Sequence, residues 1–318
     1  MKGKKVLVTG GSGFIPSHLV DRLLADGAQV GVTVRYGNVV KNERLAHCWD
    51  DIEVIEADLR NRGAIQAGME KFKPEIVFHL AAYNHVGHSF IQVEECFDVN
   101  AKGTANMLDC CHGVEKFIYM STSEVYGHQE SVPFIETMRP DPISPYAITK
   151  YSGELYCRLK QRMADSIPII ICRPFNVFGP YQSSKAVIPE LIINCLKGKP
   201  ILTTKGEQTR EFNYVSDIVD GLIKAALHPG KEDEPINIAA AEEIAIKDLV
   251  QKIAAITKTS SELKVGAIPY RPTEIWRMYA DNTRAKEILG WSPTVGLDKG
   301  LELTVDWFRE YLKKRGEL

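Results

Sequence analysis

The chain has 318 residues, 44% of them apolar and 25% charged, which are values of an ordinary soluble globular protein and exclude a mainly disordered one. Lys plus Arg numbers 39 against 41 Asp plus Glu, a formal charge of −2, and a general nucleic-acid coat needs a basic excess that is absent here. The length corresponds to roughly two domains, and no apolar stretch nears the ~20 residues needed to cross a bilayer.

Taken in order, Lys5-Val6-Leu7-Val8-Thr9 is a short apolar run that ends at glycines, as a buried parallel strand does. Phe14 to Asp26 follows as a helix with Leu19, Leu23 and Leu24 on one side and Gly27 at its stop. Further strands are predicted over 29–34, 52–56, 76–80, 117–121 and 167–172, with helices near 91–111 and 146–163. Strand and helix in turn imply βαβ units and an α/β fold, a Rossmann-like doubly wound parallel sheet, over 1–173. After Arg173-Pro174 the chain is punctuated by proline and glycine, and helices are predicted near 187–197, 215–227, 246–256, 283–289 and 298–313. That pattern describes a smaller, mostly helical lobe over 174–318, with a segment near 212–228 returning to the first domain.

Seven cysteines, an odd number with no C-x-x-C spacing, are expected to be small buried side chains rather than disulfides or metal ligands. Only a short apolar run follows the basic start Met1-Lys2-Gly3-Lys4-Lys5, so no secretion signal is read and the cytoplasm is the expected compartment. His79 lies in a strand run and is expected to be a core residue. His85 and His88 have no Asp, Glu or Cys set to complete a metal site, and no metal is expected. The tryptophans at 276, 291 and 307 are expected to pack the second lobe.

Thr9-Gly10-Gly11-Ser12-Gly13-Phe14-Ile15-Pro16 joins the first strand to the first helix, where a dinucleotide site needs its turn. Gly10 and Gly13 let backbone approach a pyrophosphate, and the amides of Phe14 and Ile15 open the helix with partial positive charge. Pro16 stands where a third glycine is usual, and the first helical turn tolerates it. The second strand ends in Val34-Arg35-Tyr36 with no acid. An acid there would bind the ribose diol of NAD, whereas Arg35 offers forked donors to the 2′-phosphate of NADP, so NADP is preferred over NAD. The other reading of Arg35 is a solvated surface residue. Asp58, beside Leu59 after the third strand, is expected either to meet the adenine or to cap a helix.

Tyr146 and Lys150 lie four apart, on one face of a predicted helix. A free phenol has a pKa near 10, and a neighbouring ammonium together with a positive nicotinamide would stabilise the phenolate. Ser121-Thr122-Ser123-Glu124 follows the fifth strand, at the carboxyl edge where ligands of such sheets bind.

Together these segments resemble the extended short-chain dehydrogenase/reductase family, in the branch that acts on nucleotide-diphosphate sugars. The resemblance runs nearly end to end, through Leu80-Ala81-Ala82, Arg173-Pro174-Phe175-Asn176, Thr209-Arg210-Glu211-Phe212 and Arg271-Pro272-Thr273-Glu274. Glu124, Arg35 and the 271–274 segment are most similar to GDP-mannose 4,6-dehydratase-like enzymes. The resemblance implies contacts from Leu59 and Leu80 to Ala82 to the cofactor, Tyr146 and Lys150 at the nicotinamide, Thr122 on the C4 oxygen, and Glu124 as base at C5. It also implies Asn176, Arg210 and Arg271 on the diphosphate, Glu274 on the nucleotide ribose, and a homodimer packed through the helices near 91–111 and 146–163. Ser123 stands where dTDP-glucose dehydratases carry an Asp. That departure leaves UDP-glucuronate-type decarboxylation and 4-epimerisation open beside 4,6-dehydration. A non-catalytic dinucleotide-binding redox sensor is disfavoured, because such proteins tend to lose the Tyr or the Lys.

Overall fold

A computed structural model describes residues 1–36, 43–163, 166–270 and 274–318. Its centre is a seven-stranded parallel sheet. In chain order the first elements are β1 (Lys5–Thr9), α1 (Phe14–Ala25), β2 (Gln29–Val34), β3 (Ile52–Glu56), α2 (Arg62–Phe72), β4 (Ile76–His79), β5 (Lys116–Met120) and β6 (Ile169–Pro174). Across the sheet the order is Ile236–Ile238, β6, β5, β4, β1, β2, β3. Strand order reverses between β1 and β4, where Thr9 pairs with His79. The crevice outside the carboxyl ends at such a reversal is where ligands of open α/β sheets bind.

The helices start and stop where the sequence provides for it. Asn61 caps α2 by accepting from the Ala64 amide at 3.1 Å. Ser144 does the same for Ala147 at 3.1 Å, with Pro145 as the first residue of the helix Pro145–Gln161. Asp58 therefore caps nothing: Arg60 grips its carboxylate through Nε (2.9 Å) and Nη2 (2.7 Å).

One face of the sheet is covered by α1, the helix Val215–Leu227, Ala285 and Trp291, which share a core with β1 residues Val6 and Val8. The other is covered by α2 and the helices Gly103–Asp109 and Pro145–Gln161. A third core, with Phe178, Ile192, Leu249, Leu301 and Phe308 at its centre, builds the smaller lobe. Parallel strands buried on both faces account for the near-continuous apolar runs.

Two expectations are corrected. The helix near 91–111 is a composite: an α-turn Val93–Cys96, a π-helical turn Phe97–Lys102 and an α-segment Gly103–Asp109. The wider π turn carries buried Asn100, and single π turns recur at functional sites. The strand Ile236–Ile238 was not predicted; three residues with a polar Asn237 at the centre carry no period to recognise.

Gly153 is required by contact. A Cβ there would lie 2.1 Å from the Tyr119 hydroxyl, which donates to the Lys150 carbonyl at 3.0 Å. That bond seats the Tyr146 helix on β5. Among the described residues no helix is long and apolar enough to cross a membrane, and all seven cysteines are free and buried.

Candidate active site

The glycine-rich turn closes on itself through Gly13 N–H to Gly10 O (2.8 Å), and Gly10 N–H donates to the Thr33 hydroxyl (3.0 Å). Gly10 has φ +69°, and a Cβ on it would stand 3.0 Å from Ala81. The turn and the segment after β4 thus touch. Thr9 Oγ1 reinforces the contact by accepting from the amides of Leu80 (3.0 Å) and Ala81 (2.9 Å). Its proton is left for His79 Nδ1 at 3.1 Å, and His79 Nε2–H donates to Thr104 at 3.1 Å. Burial, with Lys150 adding to it, pushes His79 down to about 3. It is a neutral, fully partnered core residue.

A cavity of about 1100 Å³ opens above this contact. Gly10, Gly13, Phe14, Ile15, Arg35, Asp58, Leu59, Leu80, Ala81, Ala82, Tyr146 and Lys150, all named from the sequence, line it. The amides of Phe14 and Ile15, at the start of α1, have no acceptor among the described residues, and Gly13 offers no side-chain cap. Open donors at a helix start beside a Cβ-free turn fit a dinucleotide pyrophosphate. Pro16 costs no further donor there, having no N–H.

A second cavity of about 360 Å³ adjoins the first and is lined by Thr122, Glu124, Asn176, Val187 and Ile188. Ser121, Tyr146 and Gln182 line both. The buried Oε1 of Gln182 has no partner among the described residues, so an acceptor is held open at the junction. The phenol of Tyr146 hydrogen-bonds the Thr122 hydroxyl, with the Glu124 carboxylate near enough to act on it electrostatically. Burial pushes Tyr146 up to about 12, and burial pulls Lys150 down to about 8. Burial is the largest influence on both groups.

Arg35 is exposed at the end of β2. Arg60 holds the Asp58 carboxyl below its usual range, with Arg35 adding to the effect. Arg210 does not line either cavity. Its guanidinium meets Glu274 at 2.5 Å and donates to the Ile275 carbonyl at 2.6 Å. Asn176 donates to the Glu211 carbonyl at 2.9 Å. Arg271 lies outside the described residues. Ser123 is buried and donates to the Met278 sulfur at 3.8 Å. Arg277 pairs with Glu243. Trp291 is fully buried, but against the seven-stranded sheet rather than in the second lobe, and Trp276 is half exposed with its ring tilted against Tyr270. The group Asp21, His47 and Cys48, whose ligand atoms lie within 4.8 Å of one another, lines neither cavity.

Sequence reasoning missed two supports. Asn100 accepts from the Tyr83 amide (2.7 Å) and donates to the Tyr83 carbonyl and Thr149 (both 3.0 Å). It ties the loop after β4 to the Tyr146 helix; one of several polar residues in that stretch, it carries no signal of its own in the sequence. Arg173 makes a two-pronged ion pair with Glu154 (2.9 and 2.6 Å), both fully buried, and Glu154 accepts from Ser121 at 2.5 Å.

A family profile described as GDP-mannose 4,6 dehydratase matches residues 7–304. The chain belongs to that family. It is an enzyme of the extended short-chain dehydrogenase/reductase type, in the nucleotide-sugar dehydratase and epimerase group. It is 33% identical over 320 residues to human dTDP-D-glucose 4,6-dehydratase, spanning 96% of this chain and 90% of that protein. The structure of UDP-glucose 4-epimerase from Thermotoga maritima with UDP-glucose superposes with a TM-score of 0.90 at 33% identity, covering 97% of this chain and 99% of that one. The dTDP-glucose 4,6-dehydratase of Streptomyces venezuelae, solved with NAD, gives 0.88 at 28% identity and covers 98% of each chain. Both reactions are thus represented among relatives of equal likeness, and bound NAD supports a nicotinamide dinucleotide as the cofactor class.

Proposed function

We propose that this enzyme is a nucleotide-diphosphate-sugar 4,6-dehydratase. What carries the reading is one juxtaposition: Glu124 and Tyr146 line the same small cavity where it joins the dinucleotide cavity. A 4-epimerase needs the phenol but no second base; a dehydratase needs both. Tyr146 accepts the proton of the C4 hydroxyl, and Thr122 holds that oxygen through the bond it now makes to the phenol. A dinucleotide held beside Tyr146 and Lys150 would supply the acceptor for the C4 hydride and, later, its donor to C6. With C4 a ketone, the C5 proton is acidic and Glu124 removes it. Ser123 is turned to Met278, so Glu124 itself hands the proton to the departing O6, and water leaves; a solvent proton then fills C5 as C6 receives hydride.

Asn176, Arg210 and Arg271 are assigned to the diphosphate and Glu274 to the nucleotide ribose. The Arg210–Glu274 pair holds guanidinium and carboxylate side by side for that task. A cytoplasmic setting is supported by seven free thiols, and a homodimer by the exposed apolar side chains of Phe97, Ile148, Leu155 and Leu159 on the two helical segments. Sedimentation as a monomer alone at micromolar concentration would remove the dimer.

NADP is the proposed cofactor, because Arg35 is exposed and lines the cavity while Asp58, a carboxylate in the same lining, is already engaged by Arg60. Arg35→Ala is expected to weaken NADP binding about tenfold or more, as loss of a charge-assisted bond does, and to leave NAD binding within about twofold. Equal losses for both dinucleotides would show that Arg35 does not read the 2′-phosphate. For the reaction, purified enzyme is incubated with GDP-mannose, GDP- and UDP-N-acetylglucosamine, dTDP-glucose and UDP-glucuronate. A product lighter by one water supports the proposal; one lighter by carbon dioxide, or of equal mass, refutes it.

A further inference from the structure

Ser121 closes the carboxyl end of β5 and lines both cavities. Its hydroxyl has one proton, and that proton is committed. A carboxylate can only accept, so the 2.5 Å contact with Glu154 Oε1 fixes Ser121 as the donor. Glu154 is held in this state by Arg173, which meets both its oxygens, and all three residues are 2% exposed or less. Arg173 lies in turn against the Tyr126 ring, 4.6 Å from its centre. The hydroxyl cannot rotate its proton toward the cavity without breaking a buried, charge-assisted bond. No donor among the described residues fills the lone pairs that remain.

The side on which Ser121 acts follows from the helix beside it. Tyr146, Lys150 and Glu154 repeat every four residues along one face. Lys150 lines only the dinucleotide cavity, whereas Thr122 and Glu124 line only the smaller one. Ser121 is bonded to the row that holds Lys150. We propose that Ser121 is an obligate hydrogen-bond acceptor for the carboxamide amine of the nicotinamide, fixed in that polarity by the buried Glu154–Arg173 pair. The inference rests on the cofactor class given above. It makes Ser121 a specificity-determining residue for the ring substituent and Glu154 a positioning residue.

The test is binding, not turnover. The oxidised dinucleotide is compared with its 3-acetylpyridine analogue, in which a methyl group replaces the amine and the carbonyl is kept. The wild-type protein is expected to bind the analogue about tenfold more weakly, the effect of leaving a buried acceptor unpaired. Ser121→Ala should bring the two affinities within about twofold of each other. Glu154→Gln, checked by circular dichroism for folding, frees the Ser121 proton to point into the cavity and should shift the preference toward the analogue. Ser121→Ala stands alone as the test if Glu154→Gln does not fold. Equal affinities in the wild type, or a preference that survives Ser121→Ala, overturn the inference while leaving the cofactor reading intact. Equal affinities with a nucleotide-sugar KM raised in Ser121→Ala would place the acceptor on a sugar hydroxyl and overturn it likewise. Failure of the wild type to bind either dinucleotide overturns the cofactor reading itself.

Discussion

Tyr146→Phe is expected to lower turnover by roughly 10²–10⁴-fold, the usual worth of a positioned proton acceptor, with the KM for nucleotide sugar little changed. The phenol acts chemically on the C4 oxygen. Its protonation explains a pH dependence as well. In the chain by itself burial raises Tyr146 to about 12 and lowers Lys150 to about 8, so the ammonium is the first to lose its proton as pH rises. A positive ring placed beside these two groups favours the phenolate and disfavours the ammonium, so its binding releases protons. Affinity for the oxidised dinucleotide should therefore rise with pH up to about 8, where Lys150 is already neutral before binding, and level off just above it, while affinity for the neutral reduced form stays flat. Lys150→Met should flatten the oxidised-form profile. Fluorescence titration over this range decides it; a flat profile for the oxidised form in the wild type would contradict the account of the pair.

Glu124→Gln should stop loss of water while leaving C4 oxidation in place. The amide keeps the shape of the side chain and cannot accept the C5 proton. Mixing the variant with substrate should then produce reduced cofactor, seen by its near-ultraviolet absorbance, that persists instead of being reoxidised within the cycle. Dehydration is expected to fall by roughly 10²–10⁴-fold. Full dehydration by the variant removes Glu124 as the base. Unimpaired interconversion of C4 epimers by it would make the enzyme an epimerase.

What could be seen in the sequence was whatever short-range spacing fixes. The Gly10–Ile15 turn is legible because a strand, a Cβ-free turn and a helix start must be consecutive to cradle a phosphate. Tyr146 and Lys150 are legible because four residues is one helical turn. Leu80 to Ala82 and Thr122 to Glu124 follow strands whose apolar runs are plain, and all of them line the cavities. Pairings made by folding were not legible. Glu154 looks like an exposed helical acid, and Arg173 like the basic residue of an Arg-Pro motif, yet they close on each other inside the core across 19 residues of chain. Arg210 and Glu274, separately assigned to ligand, meet each other across 64 residues. Asn100 sits on a turn that is not α-helical, which no 3.6-residue pattern reveals. The upward push of burial on the Tyr146 phenol was not legible for the same reason: the spacing shows a cation nearby but not how much water is excluded.

The separation of dehydratase from epimerase is read most directly by isotope. A nucleotide sugar accepted by the enzyme is supplied with deuterium at C4, in ordinary water, and the product is examined by NMR. Internal return of the label to C6, in a product that has lost O6, is the result expected from Tyr146 and Glu124 acting on one ring. Deuterium found again at C4, in a product that keeps its C6 oxygen, would contradict it.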